Sequence, residues 1–123
     1  VYVGSRLIPT TENPAAENVK QLIVDSNAED LTLFRTLPDY YRSLPTKLVD
    51  QLAENDRTLP AAEAKKANAK LMGGTSGMRI GMLDGDLERG YVSVGTGISM
   101  VHSIQPVKEV IDEMMADYDE NAK

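Results

Sequence analysis

The 123-residue sequence has no cysteine or tryptophan, and it has only one histidine and one phenylalanine. Without cysteine, disulfides, thiolate nucleophiles and cysteine-ligated zinc are excluded within this sequence. Because this absence is compatible with a reducing compartment, we expect a cytoplasmic protein. No apolar run approaches the roughly 20 residues of a membrane-spanning helix, and no signal-peptide pattern is present. The sequence therefore predicts no membrane partner.

Basic residues are also scarce. Thirteen lysines and arginines stand against 19 aspartates and glutamates, which gives a net charge of −6. Binding of nucleic acid depends on clustered cations that contact phosphates. The densest basic group, Lys65, Lys66 and Lys70, lies on a helix predicted to be exposed. The charge balance therefore argues against a nucleic-acid partner, and a hydrophobic content of 41% is typical of a globular chain.

The first eight residues form an apolar run that contains Gly4 and Ser5. Its apolar members are Val1, Tyr2, Val3, Leu7 and Ile8. This pattern predicts a strand that is buried on both faces. Since α/β proteins bind ligands at the carboxyl ends of strands, Gly4 and Ser5 are candidate binding residues. A chain that opens on such a strand is expected to be the end of something larger.

The following residues predict helices around one hairpin. Asn13 and Pro14 are expected to begin a helix that reaches Ser26. Residues 31–37 and 40–44 alternate like the arms of a hairpin. Thr46 is expected to cap a helix that breaks at residues 55–57, and residues 60–71 predict an alanine-rich surface helix or flexible arm.

Glycine is frequent from residue 73 onward. The glycines at positions 81, 85, 90, 95 and 97 indicate that backbones approach one another closely here. We expect helices at residues 78–83, 92–104 and 106–118. The last has an apolar stripe of Val107, Val110, Ile111, Met114, Met115 and Tyr118. The fold class is therefore α+β and mainly helical, with predicted segments 1–26, 27–72 and 73–123.

Several residue groups allow more than one interpretation. The loop of residues 73–77 either cradles a phosphate or supplies a plain helix cap at Thr75 or Ser76. Asp84 and Asp86 either bind a cation or form a turn in which Asp86 caps the next short helix. Without a ligand set at calcium-loop spacing, the turn is favoured, and no metal site is predicted.

The aromatic residues near the hairpin also leave two alternatives open. Phe34, Tyr40, Tyr41 and Arg42 either line a substrate groove or pack in the hairpin core. His102 is interpreted as a surface residue at a helix end, not as a catalytic base. The carboxylates of residues 109–120 predict a solvated helix face and not a paired-carboxylate active site, because nothing there is apolar enough to raise a carboxyl pKa.

Two segments resemble the C-terminal part of the nitronate monooxygenase (2-nitropropane dioxygenase) family, which includes flavin-dependent enoyl-acyl-carrier-protein reductases. The first is the Val-Gly-Ser-Arg-Leu of residues 3–7, which is followed by Glu12. The second is residues 85–96, from Gly-Asp to Val-Gly-Thr, together with residues 104–111. The resemblance implies that this chain is the C-terminal portion of an FMN-binding (β/α)8 barrel, with a small helical and hairpin insertion.

The resemblance also implies a cofactor site. The family positions that hold the phosphate of FMN fall on Tyr2, Val3, Gly4 and Ser5. Thr96 stands where the family commonly has a glutamine near the flavin. The catalytic histidine of the family lies upstream of this chain, so no catalytic residue is assigned here.

The leading functional hypothesis is an enzyme fragment. The parent would be an FMN oxidoreductase that oxidises nitronates with O2, and this segment alone would be inactive. Reduction of an enoyl thioester by a nicotinamide donor is the alternative within the same family. A non-enzymatic helical interaction module is the alternative from another class. The fragment hypothesis further predicts self-association, as a homo-oligomer, through an exposed strand edge at residues 1–8.

Overall fold

The chain folds as α-helices around a small antiparallel sheet, as seen in a computed structural model that describes residues 3–35, 40–73 and 76–122. The helices in these ranges are α1 (Glu17–Asp25), α2 (Lys47–Thr58), α3 (Ala61–Met72), α4 (Ser76–Met82) and α5 (Val107–Asn121). The strands are β1 (Thr32–Arg35), β2 (Tyr40–Leu44) and β3 (Val92–Ser93). The mainly helical α+β prediction is confirmed.

The predicted hairpin is confirmed, and a third strand extends it. β1 and β2 pair antiparallel with Phe34 opposite Tyr41, and residues 36–39 between the two strands lie outside the described residues. β3 pairs antiparallel with β2, with Leu44 opposite Val92. The Ser43 hydroxyl oxygen also accepts a hydrogen bond from the Val92 N–H at 3.0 Å. The hairpin is therefore joined to the C-terminal half of the chain.

Two buried clusters hold these elements together. One contains Val19, Ile23, Leu44, Val92, Val94, Ile98 and Val101. The other contains Phe34, Leu48, Val49, Leu52, Met72 and Tyr91. Together the clusters draw side chains from all three predicted segments, and the division at residues 26 and 72 stays a prediction.

The helix that follows the hairpin begins as predicted but continues further. The Thr46 hydroxyl accepts a hydrogen bond from the Val49 N–H at 3.2 Å, which confirms the N-cap. The expected break at residues 55–57 is wrong, because α2 runs to Thr58. The side chains of Asn55 and Asp56 bind the buried amide of Asn68 on α3. Polar residues that indicated a break therefore join two packed helices, and α3 is a surface helix with one buried face.

Close backbone packing around α4 confirms the interpretation of Gly81 and Gly90, whereas the interpretation is wrong for Gly97, where an added Cβ would meet no heavy atom within 4 Å. A Cβ added to Gly81 would lie 2.3 Å from the carbonyl oxygen of Tyr91 and 2.6 Å from its nitrogen. A Cβ on Gly90 would lie 2.1 Å from the nitrogen of Gly81. The Tyr91 N–H also donates to the Gly77 carbonyl at 3.1 Å. α4 therefore packs directly on the backbone that leads into β3.

Three predictions near the chain start and in the second half are wrong. Residues 3–8 contain no strand, since Ser5–Leu7 is a 3₁₀ turn, and so they offer no strand edge for self-association. α1 begins at Glu17, because the Asn13 side chain accepts from the Ala15 N–H and the backbone remains extended at Ala16. The predicted helix over residues 92–104 is replaced by β3 and a 3₁₀ turn, Thr96–Met100, since Val92 pairs with β2. Val1 and Tyr2 lie outside the described residues.

The C-terminal helix is confirmed, but most of its apolar stripe is not buried. Val110 alone among the described residues of α5 is buried. Ile111, Met115 and Tyr118 remain 44%, 50% and 64% exposed. In the described part of the chain, no helix combines the length and apolar content that a bilayer crossing requires.

Candidate functional site

The predicted binding residues near the chain start lie beside residues 95–97 from the other end of the chain. The Ser5 Oγ accepts a hydrogen bond from the Gly95 N–H at 2.8 Å. Each partner stands at the start of a 3₁₀ turn, Ser5–Leu7 in one case and Thr96–Met100 in the other. Two short segments that are 90 positions apart in sequence therefore form one local surface.

This surface is open on the side of its glycines. A Cβ added to Gly4 or to Gly97 would have no heavy atom within 4 Å. Gly4, Thr96 and Gly97 are all exposed, and Val3 and Ser5 are half-buried. Gly4 has an ordinary right-handed helical conformation, with φ −54° and ψ −58°. The backbone here can consequently be approached closely by a ligand, although the backbone conformation does not itself require glycine.

Arg6 fixes the surface to α5. Its Nη2 donates to Gln105 Oε1 at 2.7 Å and forms an ion pair with Glu113 at 3.3 Å. Gln105 Nε2 in turn donates to Glu113 Oε1 at 2.8 Å. The Nη1 of Arg6 is buried and has no hydrogen-bond partner among the described residues. Arg6 thus holds the Ser5 turn in place, and no described residue accepts from its Nη1 group.

Glu12 provides a second connection to α5. Its two carboxylate oxygens each accept from the Val107 N–H at 3.1 Å, which satisfies one of the N–H groups that the first turn of the helix leaves without a partner. The Thr11 hydroxyl also donates to this carboxylate. This hydroxyl is the main cause that lowers the pKa of Glu12 below its ordinary value. The Val107 N–H and the charge of Lys20 lower the pKa further. The segment after Ser5 is therefore pinned at both Arg6 and Glu12.

Sequence reasoning treated Gly4-Ser5 and the Gly95 region as separate features. It missed the bond between them, because a contact across 90 positions leaves no local periodicity. The order of the two family-like segments, residues 3–7 and residues 85–96, was the available signal. Thr96, where the resemblance implies a glutamine in the family, is the first residue of the 3₁₀ turn Thr96–Met100, beside this bond.

The described side chains among the remaining aromatic and histidine candidates divide between packing contacts and exposure to solvent. Phe34 is buried and stacks on Tyr41 at 5.8 Å between ring centroids, so the packing alternative holds for this pair. Arg42 is exposed, and the side chain of Tyr40 lies outside the described part of the structure. His102 is exposed and follows the 3₁₀ turn Thr96–Met100 instead of lying within an α-helix.

The acidic candidates also resolve into local structure. Asp86 Oδ1 accepts from the N–H groups of Glu88 and Arg89 at 3.0 Å each, which confirms the predicted turn. The side chain of Arg89 donates to Asp86 at 2.7 Å and, as the main cause, lowers the pKa of that carboxyl. Within the described ranges, no group of three or more histidines and carboxylates could hold a metal ion.

Comparisons with known proteins give one family match and two structural matches. The family model described as nitronate monooxygenase matches residues 1–117. The structure of FabK from Thermotoga maritima is similar with a TM-score of 0.83 and 24% identity, over 97% of this chain and 36% of that one. Its M276A mutant is similar with a TM-score of 0.71 and 23% identity, over 95% and 33%. No curated protein matches the sequence.

The two structural matches support the fold, and the chain spans about a third of the length of those proteins. The family match covers nearly the whole chain and includes both segments that meet at the bond between Ser5 and Gly95. The chain belongs to the nitronate monooxygenase family.

Proposed function

We propose that this chain is the C-terminal segment of an FMN-dependent oxidoreductase that oxidises nitronates with O2. The match to the nitronate monooxygenase family over residues 1–117 supports this proposal. In the proposal the complete protein is a (β/α)8 barrel, which needs about 250 residues and therefore more than this chain. The catalytic base belongs to the remainder of the protein, and this segment contributes to cofactor binding.

We assign the phosphate of FMN to Tyr2, Val3, Gly4 and Ser5. The observation that carries the assignment is the hydrogen bond from the Gly95 N–H to Ser5 Oγ. Because the Ser5 Oγ acts as the acceptor for the Gly95 N–H, the hydrogen of the Ser5 hydroxyl can be donated to a phosphate oxygen. The open space at Gly4 allows the backbone to approach the same phosphate. Tyr2 lies outside the described residues, so its part rests on the family pattern.

FMN supplies the electron transfer when it is bound, and the protein supplies position and electrostatics. In this segment Ser5 orients the phosphate, and the network of Arg6 and Gln105 keeps the Ser5 turn fixed on α5. Thr96 presents a short hydroxyl where the family has a longer amide. We therefore expect the tail of the chain to contribute less contact to the flavin than a glutamine would.

Ser5→Ala in the full-length protein tests the phosphate assignment. A hydrogen bond to a charged group is worth about 1.5–3 kcal/mol, so FMN affinity should fall about 10- to 100-fold. The measurement is a titration of the apoprotein with FMN, followed by flavin fluorescence. Ser5→Thr, which keeps the hydroxyl, should restore much of the affinity.

The matched control is Ser99→Ala. Ser99 Oγ accepts a hydrogen bond from the Ala28 N–H at 2.7 Å. Like Ser5, it joins a 3₁₀ turn to a distant segment, but it lies outside the proposed site. FMN affinity should be unchanged by this substitution. Equal effects of Ser5→Ala and Ser99→Ala would contradict the assignment and leave only a structural role for Ser5.

The reaction is tested by turnover of the flavin-loaded, full-length protein. We expect oxygen consumption with a nitronate such as propyl-2-nitronate. Activity only with an enoyl thioester and a nicotinamide donor would replace the nitronate assignment and keep the flavin site. A full-length protein that retains no flavin and catalyses neither reaction would overturn the proposed function.

A further inference from the structure

Three exposed apolar side chains of α5, namely Ile111, Met115 and Tyr118, form what we call the exposed stripe. Their spacing of four and three residues places them in one row along the helix. The other large apolar side chains that are exposed among the described residues are spread over separate elements: Leu33, Leu71, Met78, Leu83 and Met100. A row of this kind is more than the single exposed side chains that are normal on a protein surface.

α5 packs on this chain through the neighbouring row of its apolar face. Val110 is buried, and Val107 and Met114 are half-buried. Beyond the exposed stripe, on its other side, Lys108 and Asp112 form an ion pair at 2.6 Å. The exposed stripe therefore lies between a packed row and a charged row. An apolar surface with a polar border is typical of a contact with another polypeptide segment.

The beginning of this chain is held against the same helix. Arg6 Nη2 forms an ion pair with Glu113 at 3.3 Å, and Glu113 lies between Ile111 and Met115 in sequence. The inference made here rests on the proposed function, in which further chain precedes the first residue. Six residues of fully extended chain span at most about 20 Å, so that preceding chain begins within this distance of Arg6. It therefore starts close to the middle of α5.

We propose that the exposed stripe docks on the segment that precedes this chain in the full-length protein. The two similar FabK structures leave room for such a segment, because this chain covers only 36% and 33% of their length. A segment that is tethered beside α5 has a high effective concentration there, which a separate partner lacks. It covers Ile111, Met115 and Tyr118 with apolar surface, and α5 in turn holds the Ser5 turn through Arg6.

Oxidation of methionine in the flavin-free, full-length protein tests this docking. Hydrogen peroxide converts an accessible methionine to its sulfoxide, and mass spectrometry of peptides measures the rate at each position. Met115 should react at least about tenfold more slowly in the folded protein than in urea, because the docked segment covers it. Met78, which is 43% exposed on α4, is the control and should react within about threefold of its rate in urea.

A pair of variants tests the apolar contact. Ile111→Gln should weaken the docking without emptying the core of this chain, since Ile111 is 44% exposed. In the full-length protein it should lower the thermal midpoint by about 4 °C and accelerate oxidation of Met115 about threefold. Leu83→Gln is the matched control, because Leu83 is 47% exposed and lies outside α5. This variant should shift the midpoint by less than about 1 °C.

The proposal is overturned if Met115 reacts equally fast in the folded protein and in urea, if Met78 is protected as strongly as Met115, or if the two variants behave alike. Protection that disappears on about hundredfold dilution would assign the exposed stripe to a second copy of the protein and also overturn it. A full-length protein that binds FMN and oxidises a nitronate but leaves Met115 reactive refutes only this docking. Protection of Met115 in a protein that binds no flavin supports the docking and refutes only the proposed activity.

Discussion

Gly81→Ala tests the packing that connects α4 to the candidate site. In an exposed helix this substitution would stabilise the protein by about 1 kcal/mol, because alanine has the higher helix propensity. Here the new Cβ would lie 2.3 Å from the Tyr91 carbonyl oxygen, a separation that real Cβ atoms essentially never show. The neighbouring atoms belong to backbone, so no side-chain rotation relieves the overlap.

The steric term should decide the outcome. Overpacking of a close contact costs typically 1–3 kcal/mol and more when the backbone must move. Because the overlap is with backbone, we take the upper end of this range, about 3 kcal/mol, and subtraction of the gain of about 1 kcal/mol in helix propensity leaves a net loss of about 2 kcal/mol in the free energy of unfolding. Urea denaturation followed by far-ultraviolet circular dichroism measures this loss. Because Tyr91 leads directly into β3 and then to Gly95, FMN affinity of the full-length protein should fall as well.

Gly97→Ala is the matched control for stability. An added Cβ at Gly97 meets no heavy atom within 4 Å, so the free energy of unfolding should change by less than about 0.5 kcal/mol. Equal stability of the Gly81→Ala variant and the unsubstituted protein would refute the close approach of α4 to Tyr91. Equal destabilisation by both substitutions would show that loss of glycine, and not steric overlap, is responsible.

The remaining predictions concern a buried amide and a capping carboxylate. Asn68→Ala should lower the free energy of unfolding, measured by urea denaturation, by about 3 kcal/mol. The substitution leaves three groups without their buried partner, namely the Leu52 carbonyl, the Asp56 carboxylate and the Asn55 amide. Lys66→Ala, on the exposed face of the same helix, is the control and should have little effect. The folded-state pKa of Glu12 lies below its ordinary value of 4.5, so its contribution to stability is present above that pH and is lost as the pH falls through the folded-state pKa. The free energy of unfolding of the Glu12→Gln variant should therefore fall less between pH 6 and pH 3 than that of the unsubstituted protein. An unchanged pH dependence would contradict the role of Glu12 as a cap.

Local patterns predicted the elements whose signals are contained within a few residues. Alternation in residues 31–44 predicted the hairpin, and the cap at Thr46 predicted the start of α2. The apolar repeat after residue 106 predicted α5, although that pattern did not reveal that most of the stripe stays exposed. Residues 92–104 were misassigned, because the pairing of Val92 with Leu44 outweighs the local preference.

The sequence by itself determined the family, through motifs retained in order, and the identity of Gly4 and Ser5 as candidate binding residues. It also determined the net charge of −6 and the absence of cysteine chemistry from this segment. Only the tertiary structure decided that Ser5 meets Gly95 and that Asn68 satisfies the polar groups at the end of α2. Local patterns reach a few positions, whereas these contacts join residues up to 90 positions apart and depend on how the whole chain packs.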